Sequence, residues 1–156
     1  MKKIKIKHNS NGDTRTATKP ASFNDFHEAN VWHIKDVNAV MKMIANRIKK
    51  QGKHHDWTKL KYEDEFYSNY LDTVINKEDF VSNTWYQRHI NKEKHHPLSY
   101  CHDDINLLDI IETIVDCVCA GKARSGEIRS LEFDAEILNK AVNNTIKLID
   151  EMTEGE

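Results

Sequence analysis

Residues that interrupt helices are scarce in this chain, which has only two Pro and five Gly among 156 residues. Pro removes a backbone donor and Gly lowers helix stability, so their rarity leaves long stretches free to form helices. In these stretches apolar residues recur three and four positions apart, as at Val37, Val40, Ile44 and Ile48. The chain is therefore predicted to be all-α, a compact bundle of five or six helices.

The same periodicity predicts how the chain is organised. Residues 1–22 are polar and are predicted to be an N-terminal arm or short ribbon, with a strand over Lys3–Lys7. Residues 23–156 are predicted to form a single helical domain. The predicted helices cover residues 22–50, 56–74, 85–91, 103–120 and 131–151. Gly121–Gly126 is predicted to be a small basic loop.

Charge and cysteine content exclude several classes of protein. With 23 basic and 25 acidic residues the formal net charge is −2, which argues against bulk nucleic-acid binding. No apolar run reaches the roughly 18 residues that a membrane span needs. The three Cys form no C-x-x-C pair and are expected to be reduced thiols of a cytoplasmic protein.

Histidine is concentrated in the middle of the chain, where eight of the nine lie between His27 and His102. His33 shares a helical stripe with Val37 and Ile44, so it is expected to point inward. There it is either a metal ligand or a hydrogen-bonded core residue. An adjacent pair, His55-Asp56, can direct both side chains to one ion, although Asp56 alternatively serves as a charge at a helix start.

A second group of histidines, His89, His95 and His96, lies within eight residues. Packing alone rarely explains such a density, and mixed imidazole and carboxylate sets are usual for catalytic metal ions. Asp116 is a further candidate ligand. It forms a helical stripe with Asp109 and Glu112, which is alternatively a solvated acidic face.

The order His33, His55-Asp56, His89, His95-His96, Asp116 resembles the HD-domain superfamily of metal-dependent phosphohydrolases, with its H…HD…D pattern on a helical bundle. The additional histidines resemble the two-metal branch that includes the HD-GYP phosphodiesterases. The run from His55 to Lys59 matches the HDxxK motif of that branch, but the GYP motif is absent. Over about residues 33–126 the chain also resembles an uncharacterised phage and bacterial family with an HD-x-S-K-like run, from which Thr58 departs.

This resemblance implies a cofactor of two divalent metal ions, drawn from Mn, Fe, Zn, Ni or Mg. The ligands that it implies for the first ion are His33, His55, Asp56 and Asp116. Asp56 would bridge to a second ion held by His89, His95 and His96. Asp56 and Lys59 are the implied catalytic residues.

Several further side chains near these motifs are candidates for binding a substrate. The basic residues that could contact phosphate, each alternatively a solvated surface residue, are Lys59, Arg88, Lys94, Lys122 and Arg124. The aromatic residues that either stack on a nucleobase or belong to the core are Trp57, Tyr62, Tyr67, Trp85, Tyr86 and Tyr100. Glu63 or Glu65 is expected to orient a ligand histidine.

The resemblance thus implies a metal-dependent phosphohydrolase that cleaves a phosphoester or phosphoanhydride, with a nucleotide or signalling nucleotide as the expected small phosphorylated ligand. The expected location is the cytoplasm of a bacterium or of a phage-infected host cell, and assembly into a homo-oligomer is left open. Two other functions also stay open. One is a catalytically inactive HD-like binding or inhibitor protein of phage origin, and the other is an HD-type di-iron oxygenase.

Overall fold

A computed structural model describes residues 3–155 and confirms the predicted all-α class. Its six helices are α1 (Phe23–His54), α2 (Trp57–Lys61), α3 (Glu63–Ile75), α4 (Thr84–Lys92), α5 (Leu107–Arg124) and α6 (Ala135–Met152). Two three-residue strands, β1 (Ile4–Ile6) and β2 (Thr153–Gly155), pair in parallel. A strand was predicted at β1, but its partner follows the last helix and has no sequence pattern of its own.

Several helix boundaries differ from the prediction. α1 continues through Gly52 to His54, and the predicted single helix over 56–74 is divided at Tyr62 into α2 and α3. α5 and α6 each begin four residues later than predicted, at Leu107 and Ala135. The predicted loop Gly121–Gly126 is wrong in its first four residues, because α5 extends to Arg124. Gly121 is buried inside α5, and its carbonyl accepts hydrogen bonds from the amides of Ser125 and Gly126.

The chain divides into two compact units. Within the described residues, the first unit comprises 3–49 and 146–155, and the second comprises 50–145. In the first unit the amide of Lys7 donates to Asp36, 3.1 Å away. The Lys7 ammonium also lies 3.6 Å from the centre of the Trp32 ring, which is the geometry of a cation–π contact.

The expectation that His33 points inward is wrong. His33 is exposed, Val37 on the same stripe is 48% exposed, and α1 has no buried residue along its length. Helical periodicity identifies the residues that share a face, but it does not say whether another element covers that face.

The second unit has a small apolar core formed by Ile105, Ile110 and Ala141. A capping box anchors the start of α5. The side chain of Asn106 accepts a hydrogen bond from the backbone of Asp109, and the side chain of Asp109 accepts one from the backbone amide of Asn106. This anchoring sets the position of the residues one and two turns further along α5, which contribute to the site described below. No helix within residues 3–155 is long and apolar enough to cross a bilayer.

Candidate metal centre

The site is organised around a sharp turn between α1 and α2. Asp56 occupies this turn in a left-handed backbone conformation, with φ 57° and ψ 24°. Left-handed backbone is uncommon outside glycine, although Asp tolerates it better than most residues. Residues held in such conformations cluster at functional sites, where the surrounding structure enforces them.

The two oxygens of the Asp56 carboxylate face different groups. Oδ1 lies 3.4 Å from Nε2 of His95 and 3.5 Å from Nε2 of His89. Oδ2 accepts an ion-pair hydrogen bond from the ammonium of Lys59 and lies 3.2 Å from Nε2 of His55. Asp56 therefore touches histidines from three separate segments of the chain.

Two of these facing atoms, Asp56 Oδ1 and His95 Nε2, are buried and make no hydrogen bond. The His95 side chain is only 1% exposed. Leaving one buried polar atom without a partner costs about 1–3 kcal/mol, and such atoms in native proteins call for a specific explanation. A cation between them would satisfy both atoms, since each offers a lone pair.

The surrounding residues supply more ligand atoms. Two overlapping groups, which share His95, have ligand atoms within 4.8 Å of one another. The larger group is Asp56, His89, His95 and His96, and the smaller group is His55, His95 and Asp116. Histidine nitrogen and carboxylate oxygen are ligands that suit Zn, Fe, Mn and Ni, so this donor set fits a divalent cation.

A buried hydrogen-bond relay determines which nitrogen of His89 faces the site. The hydroxyl of Thr58 donates to Oε1 of Glu93 at 2.9 Å, so its single proton is already used. The Thr58 hydroxyl must then accept from Nδ1–H of His89, 2.6 Å away. His89 therefore keeps its proton on Nδ1 and has a lone pair on Nε2, which lies 2.8 Å from Nε2 of His96 and 3.5 Å from Oδ1 of Asp56.

Glu112 orients the His55 ring in a similar way. Its Oε1 lies 2.8 Å from Nδ1 of His55 and 3.4 Å from Nδ1 of His95. With Nδ1 engaged, the Nε2 atoms of both rings are turned towards Asp56. Carboxylates that hold ligand histidines in this way fix the tautomer and raise ligand basicity.

These orienting residues are not the ones that were expected. Glu65 accepts both of its hydrogen bonds from Arg88 at 2.7 and 2.6 Å, and does not orient a histidine. The sequence pattern predicts no orienting role for Glu93 or Thr58, and it places Glu112 only in an acidic stripe with Asp109 and Asp116. Only the closeness of Glu93 to His95 in sequence hinted at this role.

Burial and nearby charges give the histidines of the centre different protonation states. Burial lowers the pKa of His89 to about 3 and that of His96 to about 4, with neighbouring imidazoles adding to the effect. Hydrogen bonds with Asp116, Asp56 and Glu112 raise the pKa of His55 to about 11. His89 and His96 are thus neutral, the form that binds metal, whereas a metal ion would have to displace a proton from His55.

The carboxylates of the centre are held in the ionised form. Burial alone would raise the pKa of Asp56, but the nearby side chains of His55, His95 and Lys59 outweigh burial and leave that pKa well below its usual range. The hydrogen bond from His55 likewise lowers the pKa of Asp116. Asp56 and Asp116 are thus both charged, as a site for a cation requires.

His33 belongs to neither ligand group. It lies in the first unit, where it lines a different cavity of about 240 Å³ together with Asp13 and Asp36. The other six residues named as metal ligands all fall in the two groups of the second unit.

Three of the five candidate phosphate-binding residues form ion pairs with acidic side chains. Lys59 pairs with Asp56, Arg88 with Glu65, and Lys94 with Asp104. Lys122 and Arg124 lie in the last turn of α5. Arg124 also lines a cavity of about 250 Å³, together with the His95, His96 and Asp116 side chains of the centre.

The aromatic residues do not form a base-binding surface in this cavity, since no Tyr, Trp or Phe lines it. Trp85 is core, at 2% exposure, with its ring stacked on Phe66 at 4.0 Å and on His89 at 4.9 Å. Of the two roles left open for Trp85, the structure supports the core role. The Arg88 guanidinium lies over the Tyr62 ring, 4.8 Å from the centre of that ring.

Fold and site together define an all-α protein with a buried histidine–aspartate cluster that could hold a divalent cation. The chain matches the family of unknown function DUF5662 over residues 22–154, and it belongs to that family. No curated protein and no solved structure matches it.

Proposed function

We propose that the protein is a metal-dependent phosphohydrolase of the HD type, which cleaves a phosphoester or phosphoanhydride bond of a small phosphorylated compound such as a nucleotide. The observation that supports this most is the pair of buried atoms without hydrogen bonds, Asp56 Oδ1 and His95 Nε2, 3.4 Å apart. Two further imidazoles also direct Nε2 towards the Asp56 carboxylate, that of His55 at 3.2 Å and that of His89 at 3.5 Å.

The proposed cofactor is one or two divalent ions. Asp56, His89, His95 and His96 would hold one ion, while His55, Asp116 and the shared His95 would hold the second. When bound, such ions polarise the phosphoryl oxygens, lower the pKa of water and neutralise charge in the transition state. Glu112 and the Thr58–Glu93 relay would keep the ligand nitrogens in position.

Lys59 is proposed to act on the phosphoryl group. Its ammonium lies on Oδ2 of Asp56 and is only partly exposed, so it is at the edge of the ligand cluster. From there it can donate a charge-assisted hydrogen bond to a phosphoryl oxygen. In the overall reaction one water adds to phosphorus, the bond from phosphorus to the leaving oxygen breaks, and that oxygen leaves with a proton.

The experiment that tests this proposal combines metal content with turnover. The protein would be purified without chelator, its bound metals measured by elemental analysis, and phosphate release followed with p-nitrophenyl phosphate and a panel of nucleotides. His55→Ala is the test variant and His54→Ala its matched control, because the adjacent His54 is exposed in the last turn of α1 and belongs to neither ligand group.

We expect metal-dependent hydrolysis that His55→Ala abolishes and His54→Ala leaves intact. Less than one metal ion per chain, or no hydrolysis by a metal-loaded and folded protein, would overturn the proposal. Bound iron with oxygen uptake and no phosphate release would assign the same ligands to an oxygenase instead.

A further inference from the structure

The cavity beside the metal centre has a basic end. At one end it is lined by His95, His96 and Asp116 and at the other by Arg124, and Arg129 also belongs to the lining. All five residues belong to the second unit. Arg129 was not among the residues predicted to bind phosphate.

α5 sets the separation between these two ends. Asp116, Ala120 and Arg124 all line the cavity and are four residues apart, so they occupy one face of the helix. Eight residues at 1.5 Å each place Arg124 about 12 Å along the axis from Asp116. The small side chain of Ala120 leaves the space between them open.

The second arginine is held against α5 by close backbone contact. A Cβ on Gly121 would lie 2.5 Å from the carbonyl oxygen of Glu127, so only glycine permits this approach. Cys117 Sγ also lies 3.7 Å from the carbonyl oxygen of Arg129, within reach of a weak S–H donor. These contacts bring Arg129 to the same cavity as Arg124.

Neither guanidinium has a carboxylate partner among residues 3–155, and neither makes a side-chain hydrogen bond there. Arg88 and Lys94, by contrast, are each paired with an acidic side chain. Arginine binds phosphate and carboxylate through two parallel hydrogen bonds, so two unpaired arginines that line the same cavity can form an anion site.

We infer that the substrate carries a second anionic group, phosphate or carboxylate, which Arg124 and Arg129 bind while the scissile phosphate lies at the metal centre. This inference rests on the proposed function, because it needs the first anionic group to occupy that centre. The lining of the cavity also includes apolar residues, among them Pro97, Ala120 and Leu131. The substrate class is therefore a small doubly anionic metabolite, such as a bisphosphate, with an uncharged middle.

Linear alkane bisphosphonates and matched monophosphonates test this without turnover, because a carbon–phosphorus bond is not hydrolysed. Chains of three to six carbons sample the separation between the two ends. Affinity would be measured by titration calorimetry on the full-length, metal-loaded protein. The variants are Arg124→Gln and Arg129→Gln, with Lys122→Gln as control, since Lys122 is a neighbouring basic residue outside the cavity lining.

For the best chain length, the second phosphonate should tighten binding about tenfold or more, as expected for charge-assisted hydrogen bonds to arginine. Each arginine variant should remove most of this gain and leave monophosphonate affinity unchanged, and Lys122→Gln should keep the gain. A further readout is KM: removing either arginine should raise KM for a bisphosphate and not for p-nitrophenyl phosphate.

Equal affinity of bisphosphonates and monophosphonates, or a gain that survives in both arginine variants, would overturn the inference. In that case metal-dependent hydrolysis of p-nitrophenyl phosphate would still leave the proposed function standing. A metal-loaded protein that binds no phosphonate and hydrolyses no phosphoester would overturn both.

Discussion

Replacing Thr58 by Val isolates the relay that orients His89. Thr58 has no exposed surface, and Val has nearly the same shape, so the substitution removes the hydroxyl with little change in volume. The hydroxyl makes two hydrogen bonds, 2.6 Å to His89 Nδ1 and 2.9 Å to Glu93 Oε1. The backbone amide of Thr58 continues to donate to Glu93 at 3.1 Å.

The expected cost has two parts. His89 Nδ1–H loses its buried acceptor, for which about 1–3 kcal/mol of unfolding free energy is typical, and Glu93 loses one of two donors. His89 also loses the contact that selects its tautomer and ring orientation. Loss of such an orienting partner typically weakens metal affinity about 10- to 100-fold.

Thr58→Ser is the matched control, because it keeps the hydroxyl and removes one methyl group at a cost of about 1 kcal/mol. Urea denaturation of the metal-free proteins measures stability, and calorimetric titration with Mn²⁺ or Zn²⁺ measures affinity. We expect Thr58→Val to lower both the stability and the metal affinity. Thr58→Ser should keep metal affinity near that of the native chain. A folded Thr58→Val protein that binds metal as tightly as the native chain would refute the reasoning about His89.

Three other perturbations test the packing and the metal dependence of the same unit. Trp85→Ala removes a buried ring stacked on Phe66 and His89, so it should cost about 3–5 kcal/mol in a denaturant titration. Gly121→Ala forces its new methyl group against Glu127 and should cost about 1–3 kcal/mol, with lower bisphosphonate affinity in calorimetry. Metal at about 100 times its dissociation constant should raise the unfolding free energy by about 2.7 kcal/mol. EDTA should reverse this gain in a thermal melt, and a His95→Ala variant should show no gain at all.

The sequence predicted where helices form better than it predicted which of their faces are buried. The spacing of apolar residues over α5 and α6 depends on neighbours three and four positions away, so it is visible in the chain itself. The stripe that contains His33 and Val37 has the same spacing, yet both residues are exposed. Burial depends on a covering element elsewhere in the chain, which periodicity does not report.

The left-handed turn at Asp56 shows another limit. The sequence marked His55 and Asp56 as a pair, but not the backbone conformation that directs them. Asp is allowed in several backbone regions, so local preference alone does not choose the left-handed one. The choice follows from the imidazoles and the ammonium that the Asp56 carboxylate contacts.

By itself, the sequence determined the all-α class, because helix formation responds to local spacing and to the scarcity of Pro and Gly. It also named six of the residues that the second unit brings together, through the resemblance of their order to a known pattern. Only the tertiary structure placed Thr58, Glu93 and Glu112 next to the histidines and brought Arg129 to the cavity that Arg124 lines. These roles depend on distances between residues far apart in sequence, and such distances are set when the helices pack together.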